Sequence, residues 1–325
     1  MIGGSIFVKG THIGISRKKE ENYMNCKLAI TGITGKTGEA FAEYLSMHMD
    51  KVLDKFQGGI KILARSSSRL ENTKKLLPIA EITYGDLQDE LYLENQLDGV
   101  NTIVHIAGIK YSENIVKVTA KCHVRRLILV HTTGIYSKYK EAGEEYRRID
   151  SVVYDICNKE GIILTILRPT MIYGCLGDHN VHVFTKMVDK LPMMPVVNGA
   201  KYQLQPVYYK DLGRAYYQVL MNEEKTANQD FDLSGKEPIT LREMLLEIGN
   251  CLGKKVHFIS VPFELAFLGA VVIYIISFRN IDYREKVQRL CEPRVYSHAK
   301  ATEAFGYDPV EFKVGVSKEL EEYKS

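Results

Sequence analysis

The stretch Lys27-Leu28-Ala29-Ile30-Thr31-Gly32-Ile33-Thr34-Gly35-Lys36-Thr37-Gly38 decides the fold. Its first five residues form a short apolar run, and glycines follow in the spacing G-x-x-G-x-x-G. Residues 36–48 then place Phe41, Tyr44 and Leu45 at helical spacing. Strand, glycine loop and helix in this order suit a dinucleotide pyrophosphate. The glycines let the backbone turn sharply and approach the phosphates closely. The helix N-terminus adds free N–H groups and a partial positive charge. Gly32, Thr34, Gly35, Lys36, Thr37 and Gly38 are therefore the first candidate cofactor contacts. A purely structural glycine turn is the competing reading, and the strand–loop–helix context argues against it.

Outward from this loop the chain alternates. Apolar runs at 60–64, 79–84, 102–106, 127–131 and 162–167 predict strands. Helical patterns lie between most of them, around 70–77, 91–97, 115–123 and 144–159. Such alternation implies parallel strands with right-handed crossovers, and parallel strands buried on both faces read as continuous apolar runs. The fold class is α/β, a doubly wound parallel sheet of Rossmann type with a smaller C-terminal α/β lobe. We expect a separable extension at 1–23 before an alternative start at Met24. A dinucleotide-binding domain over 24–170 and a substrate lobe over 171–325 follow, partly interleaved. Segments 207–209 and 231–233 are expected to return to the main sheet. Thr240-Leu241-Arg242-Glu243 reads as a capping box opening a helix through Leu252, and Ser297 as the cap of a helix ending at Phe305.

The 325 residues are 45% hydrophobic and 26% charged, the balance of a globular protein. Lys and Arg number 43 against 40 Asp and Glu, which gives no electrostatic reason for a nucleic-acid partner. The six cysteines are scattered, without a C-x-x-C pair. They suit a reducing, cytoplasmic setting and exclude the usual zinc spacings. His179 and His182 lack clustered cysteines or carboxylates, so no metal is expected. The most apolar stretch, 265–278, runs 14 residues without a charge, short of the roughly 18 expected of a spanning helix. A buried helix is the favoured reading, and membrane-surface contact through 262–284 is the alternative.

At TGITGKTG the chain resembles the short-chain dehydrogenase/reductase superfamily, in its extended and atypical branches. These include nucleotide-sugar epimerases and dehydratases and the NmrA-like proteins. Further elements follow in the same order. Asp86-Leu87 is similar to the adenine-contacting pair, and Ile106-Ala107-Gly108 to the cofactor-lining turn. Arg168-Pro169-Thr170-Met171-Ile172-Tyr173-Gly174 resembles the R-P-x-x-[VI]-Y-G signature. Gln205–Leu212 and Ala304–Pro309 resemble later segments. The resemblance implies a nicotinamide cofactor, a small-molecule substrate and cofactor contacts at Asp86, Leu87, Ile106, Ala107, Gly108, Thr132 and Pro169.

The second strand ends Ala64-Arg65-Ser66-Ser67-Ser68-Arg69, with no acidic residue to hold the adenosine ribose hydroxyls. Arg65, helped by Ser66, can instead pair with a 2′-phosphate, so NADP is expected over NAD. Catalysis is less legible. In the family a Ser/Thr after the fifth strand orients the substrate oxygen, and a Y-x-x-x-K on the next helix supplies the proton. Thr132 fits the first role. The usual tyrosine and lysine positions fall near Ala142 and Tyr146 and do not match. Tyr136 with Lys140 spells the motif in another register, and Tyr146 and His131 follow as proton donors. Three functions stay open: an NADP-dependent oxidoreductase or epimerase acting on a sugar nucleotide or other small carbonyl or hydroxyl compound, a non-catalytic NADP(H) redox sensor, and a membrane-surface or assembly partner using residues 262–284.

Overall fold

The computed structural model describes residues 26–139, 141–178 and 180–324. The expected extension at 1–23, with Met24, lies outside them, as do Lys140 and His179. The strands are β1 (Leu28–Thr31), β2 (Ile60–Ala64), β3 (Glu81–Tyr84), β4 (Thr102–His105), β5 (Arg126–Val130), β6 (Ile163–Pro169) and β7 (Ile172–Tyr173). Then come β8 (Met194–Val197), β9 (Gln203–Leu204), β10 (Val207–Tyr208), β11 (Gln229–Leu233), β12 (Ile239–Thr240) and β13 (Phe258–Val261). Seven of them form one parallel sheet in the order β11-β6-β5-β4-β1-β2-β3. The chain winds one way from β1 to β3 and the other way from β4, so strand order reverses between β1 and β4. The crevice beyond their carboxyl ends is where such sheets take ligands.

The helices of the first half are α1 (Lys36–Met47), α2 (Met49–Lys55), α3 (Glu71–Leu76), α4 (Glu90–Leu97), α5 (Ser112–Lys121) and α6 (Gly143–Glu160). The second half adds α7 (Val181–Lys190), α8 (Tyr209–Met221), α9 (Glu223–Thr226), α10 (Leu241–Leu252), α11 (Phe263–Ile276), α12 (Arg284–Leu290), α13 (Ala299–Phe305) and α14 (Phe312–Lys324). Alternation along β1 shows how the sheet is covered. Leu28 and Ile30 pack with Phe41 and Leu45 of α1 and Leu212 and Tyr216 of α8. Ala29 faces the other layer, with Ile115 and Val118 of α5 and Ile149 and Val153 of α6. Gly213 lets α1 and α8 approach closely, since a Cβ there would lie 2.5 Å from the Ala40 carbonyl carbon. A third apolar cluster, built on Tyr173, Val188, Leu245, Ile248 and Leu320, holds the second lobe together.

Three expectations are corrected. The segment 207–209 does not join the main sheet: Val207 and Tyr208 pair with Ile172 and Tyr173, whereas β11 does lie on the main sheet, against β6. Thr240 and Glu243 form the full capping box; the helix near Ser297 begins at Ala299 with His298 at the N-cap position, one residue later than expected, while the Ser297 hydroxyl accepts the Ala299 N–H at 3.3 Å. Residues 265–276 of the apolar stretch lie in α11, with 277 and 278 past its end, and of that helix only Ala270 is buried. Beyond Glu264 in the first turn its side chains carry no charge, and too little of the lobe packs on it to cover them.

Candidate active site

The glycine loop is built as the sequence requires, with the three glycines in different jobs. Gly32 has φ +76°, and a Cβ on it would lie 2.4 Å from the Ala107 nitrogen. The loop therefore sits directly on the turn after β4. Gly35 is the N-cap of α1 and brings no side chain to the first-turn amides. Gly38 lines neither of the two cavities described below. A Cβ there would stand 2.3 Å from the Gly32 carbonyl oxygen, so its smallness lets α1 start tight beneath the loop.

Two cavities meet at Ile106. The first, about 330 Å³, is lined by Gly32, Thr34, Gly35, Arg65, Asp86, Leu87, Ile106 and Ala107 from the expected set. Ser68, Gly85, Lys110 and Tyr111 join them without having been singled out in the sequence. Arg65 is exposed, and its guanidinium has no ion-pair partner among the described residues. Ser66 does not line this cavity; Ser68 does, and its hydroxyl accepts the Arg65 N–H at 3.2 Å. Lys36 also lies off the lining, with its ammonium 3.7 Å from Glu39. A glycine cradle at a helix N-terminus, with a free cation at the end of β2, fits a dinucleotide.

The second cavity, about 450 Å³, takes Thr37, Ile106, Gly108, Thr132 and Pro169 from the expected set. Its floor is a turn pinned by His105. The Thr31 hydroxyl lies 2.6 Å from His105 Nδ1, and Nε2 lies 3.1 Å from the Gly108 carbonyl. Burial lowers the His105 pKa to about 4. The ring is then neutral at physiological pH, accepting from Thr31 and donating to Gly108.

The proton-donor ranking changes here. Residues 133–136 form a single 3-10 turn that ends at Tyr136, and 137–139 after it are not helical. The Tyr136 hydroxyl donates to Asp232 at 3.2 Å, and the residue does not line the cavity. Burial first, and the Asp232 carboxylate in addition, push its pKa up to about 12, the opposite of activation. Lys140 lies outside the described residues. Tyr146, on the first turn of α6, does line the cavity. A Cβ on Gly134 would lie 3.2 Å from Thr132 Oγ1 and 3.8 Å from the Tyr146 ring, so the two side chains flank the same glycine.

One turn after Tyr146 stands Asp150, at the heart of a buried relay. Its Oδ1 accepts from His131 Nδ1 at 2.6 Å, and Oδ2 from Arg168 Nη2 at 2.8 Å. His131 Nε2 in turn accepts from the Ser112 hydroxyl at 2.9 Å, and Arg168 also reaches Asp230 at 2.5 Å. Burial works to raise the Asp150 pKa, but the bonds to His131 and Arg168 outweigh it and hold the carboxylate ionised. The order Ser–His–Asp is that of a hydrolytic nucleophile, yet Ser112 is fully buried and no substrate can reach it. Both ring nitrogens of His131 are engaged, which removes it as a proton donor.

Two arginines were not legible in the sequence. Arg289 and Arg294, from the segment after α11, line the second cavity. The Nε atoms of both are buried without a partner. Burial first, and the like charge of Arg289 next, lower the Arg294 pKa to about 10. Arg289 Nη1 also lies 3.4 Å from Glu285, and two guanidiniums lining one cavity suit an anionic ligand. Among the described residues no group of histidines, cysteines and carboxylates could hold a metal ion, and no helix is long and apolar enough to cross a membrane.

Residues 32–185 match the family model described as NAD(P)H-binding. The chain is 22% identical over 229 residues to N-acetyl-α-D-glucosaminyl-diphospho-ditrans,octacis-undecaprenol 4-epimerase of Escherichia coli O157:H7, covering 61% of this chain and 69% of that protein. It is 21% identical over 249 residues to the mitochondrial NADH dehydrogenase [ubiquinone] 1 alpha subcomplex subunit 9 of Arabidopsis thaliana, covering 73% of this chain and 60% of that protein. Among solved structures, UDP-glucuronic acid 4-epimerase from Bacillus cereus, in complex with UDP-glucuronic acid and NAD, superposes with a TM-score of 0.71 at 13% identity, covering 92% of this chain and 99% of that one. The chain therefore carries an NAD(P)H-binding domain on a Rossmann-type sheet. Its fold is the one it shares with that epimerase structure.

Proposed function

We propose that the protein is an NADP(H)-dependent oxidoreductase or epimerase acting on a hydroxyl or carbonyl of a sugar carried on a diphosphate. One observation carries this reading: a single cavity brings Thr132 and Tyr146 together with Arg289 and Arg294, beside the cofactor turn. The nicotinamide, when bound, supplies the hydride acceptor or donor. The glycine loop and the N-terminus of α1 would hold its pyrophosphate. Arg65 would pair with the 2′-phosphate. Thr132 would orient the reacting oxygen through its hydroxyl. Tyr146, whose hydroxyl has no hydrogen-bond partner among the described residues, would exchange the proton. Arg289 and Arg294 would hold the diphosphate, and the relatives named for diphosphate-linked sugars support that chemistry.

The test is turnover on a panel of nucleotide-diphosphate sugars, read as epimer formation and as NADPH oxidation. Tyr146→Phe and Thr132→Val should each lose about 10²–10⁴-fold in kcat with NADPH affinity unchanged. Tyr136→Phe should keep the parent rate. Full activity in Tyr146→Phe sinks the assignment. A second reading, a redox sensor, is favoured by Asp150. It stands one turn after Tyr146, with its charge spent on His131 and Arg168, where the family's catalytic lysine would lower the tyrosine pKa. Tight NADPH binding without turnover on any sugar tried would select it.

A further inference from the structure

We propose that α11 and the turn after it dock the protein on an anionic bilayer surface, and that the diphosphate-linked sugar reaches the cavity from a lipid carrier. The second half of this proposal rests on the functional reading above; the first half does not.

The helix is the starting point. Leu265, Leu268, Ile275 and Ile276 are 58–71% exposed, and Phe278, just past its end, is 88% exposed. A helix facing water keeps a polar outer face, and past Glu264 in its first turn this one carries no charge. A contiguous apolar patch of this kind marks a partner or a membrane. Its 14 residues span about 21 Å, against about 30 Å of bilayer hydrocarbon. It is too short to cross and suited to lie at the interface.

The rim of the patch says which partner. Aromatic rings and cations alternate around the C-terminal end of α11. The Arg284 guanidinium sits 4.0 Å over the Tyr274 ring, and Lys286 lies 5.1 Å over Tyr283. Arg279 is exposed, with no ion-pair partner among the described residues. Amphipathic rings beside basic side chains, bordering an apolar face, are the pattern of a segment seated at headgroup level. From 277 to 291 four basic residues (Arg279, Arg284, Lys286, Arg289) stand against two acidic ones, Asp282 and Glu285; Arg284 pairs with Asp282 at 2.6 Å and Arg289 with Glu285 at 3.4 Å, which leaves Arg279 and Lys286 as the rim cations without an ion pair among the described residues. Anionic headgroups complement that balance, whereas a second copy of the chain would set like charges face to face. The patch is also joined to the cavity. α11 packs along α12, and Arg289 of α12 lines the cavity wall. A protein lying on α11 would therefore present its paired arginines near the depth at which a lipid-linked diphosphate lies.

The experiment uses the full chain and vesicles of phosphatidylcholine with and without phosphatidylglycerol, read by flotation. The parent should float with the anionic vesicles, and added salt should weaken the binding. The double variant Ile275→Asp/Phe278→Asp should bind about tenfold more weakly or worse, with NADPH affinity and melting temperature kept. A parent that ignores vesicles overturns the proposal, as does a variant that floats equally well. A parent that is a dimer, becomes monomeric in the variant and never floats assigns the face to a second copy and overturns it too. A parallel assay compares a polyprenyl-diphosphate sugar in vesicles with a soluble nucleotide-diphosphate sugar. The variant should lose rate only on the vesicle-borne substrate. Flotation without turnover of either sugar upholds the docking and overturns the lipid-carrier half, together with the functional reading on which it rests.

Discussion

Replacing Glu319 by glutamine should stabilise the protein at pH 8 and change little at pH 5. Glu319 lies on α14 and is 1% exposed. One carboxyl oxygen accepts the Gly174 N–H at 3.1 Å, which ties the C-terminal helix to the loop after β7. The other has no partner, and the nearest candidate, His182 Nδ1, stands 3.9 Å away and is itself unpartnered. Burial first, and the charge of Asp178 next, push the carboxyl up to about 8. The folded state thus keeps a proton that the unfolded chain releases near 4.5. The stability this group contributes is fully present below pH 4.5 and is lost as the pH rises through about 8. At 1.36 kcal/mol per pH unit across that window, the loss by pH 8 is on the order of 4 kcal/mol. Glutamine keeps the acceptor for Gly174, offers an amide donor to His182 and has no proton to lose. Urea unfolding of parent and Glu319→Gln at both pH values is the assay. The advantage of the variant should grow from about 1 kcal/mol at pH 5 to about 3–4 kcal/mol at pH 8. Comparing the pair cancels His105, which acts in the opposite sense. Its lowered pKa makes its contribution present above about 6.5 and lost as the pH falls through about 4. An equal advantage at both pH values, or a variant weaker at pH 8, refutes the reasoning.

Arg65→Ala should lower the preference for NADPH over NADH by roughly tenfold to hundredfold, the worth of one charge-assisted contact to the 2′-phosphate. Equal cofactor affinities in the parent, or an unchanged ratio in the variant, would remove Arg65 from that role. Gly35→Leu should fold normally, because a Cβ there meets only the Gly32 oxygen at 3.4 Å, yet it should weaken NADPH binding about a hundredfold by filling the cavity. Binding that survives in a folded Gly35→Leu protein would move the cofactor away from this loop.

The main sheet was legible because parallel strands are buried on both faces and so appear as unbroken apolar runs. The glycine loop was legible because its chemistry is local: three small residues, one strand, one helix. Catalytic geometry is not local. Pairing Tyr136 with a lysine four residues on needs helical backbone, and the 3-10 turn ends at Tyr136. Tyr146 was in view, but only the start of α6 at Gly143 turns it toward Thr132. The role of Asp150 depends on Arg168 and His131, which come from two other strand ends. Arg289 and Arg294 reach the cavity after a long excursion through the second lobe, with no spacing to announce them. The burial of 265–278 was misjudged for a related reason: hydrophobicity states what a side chain prefers, not whether anything else arrives to cover it.

The pairing of β11 with β6 has a consequence for how the molecule can move. The chain leaves the main sheet after Pro169, comes back to lay α8 on α1 and β11 on β6, and leaves again after Leu233. Arg168 and Asp230 clasp across that last pair of strands. The second lobe is thus threaded through the first at several crossings, where a one-way tether would have a single one. It cannot swing about one linker. Closing over a ligand requires backbone rotation near 170, near 206 and near 235 together, so the motion open to it is a small concerted slide of packed layers. The same threading bears on a fragment ending at 170. It would expose the whole edge of β6 and strand a buried arginine without one of its two carboxylates.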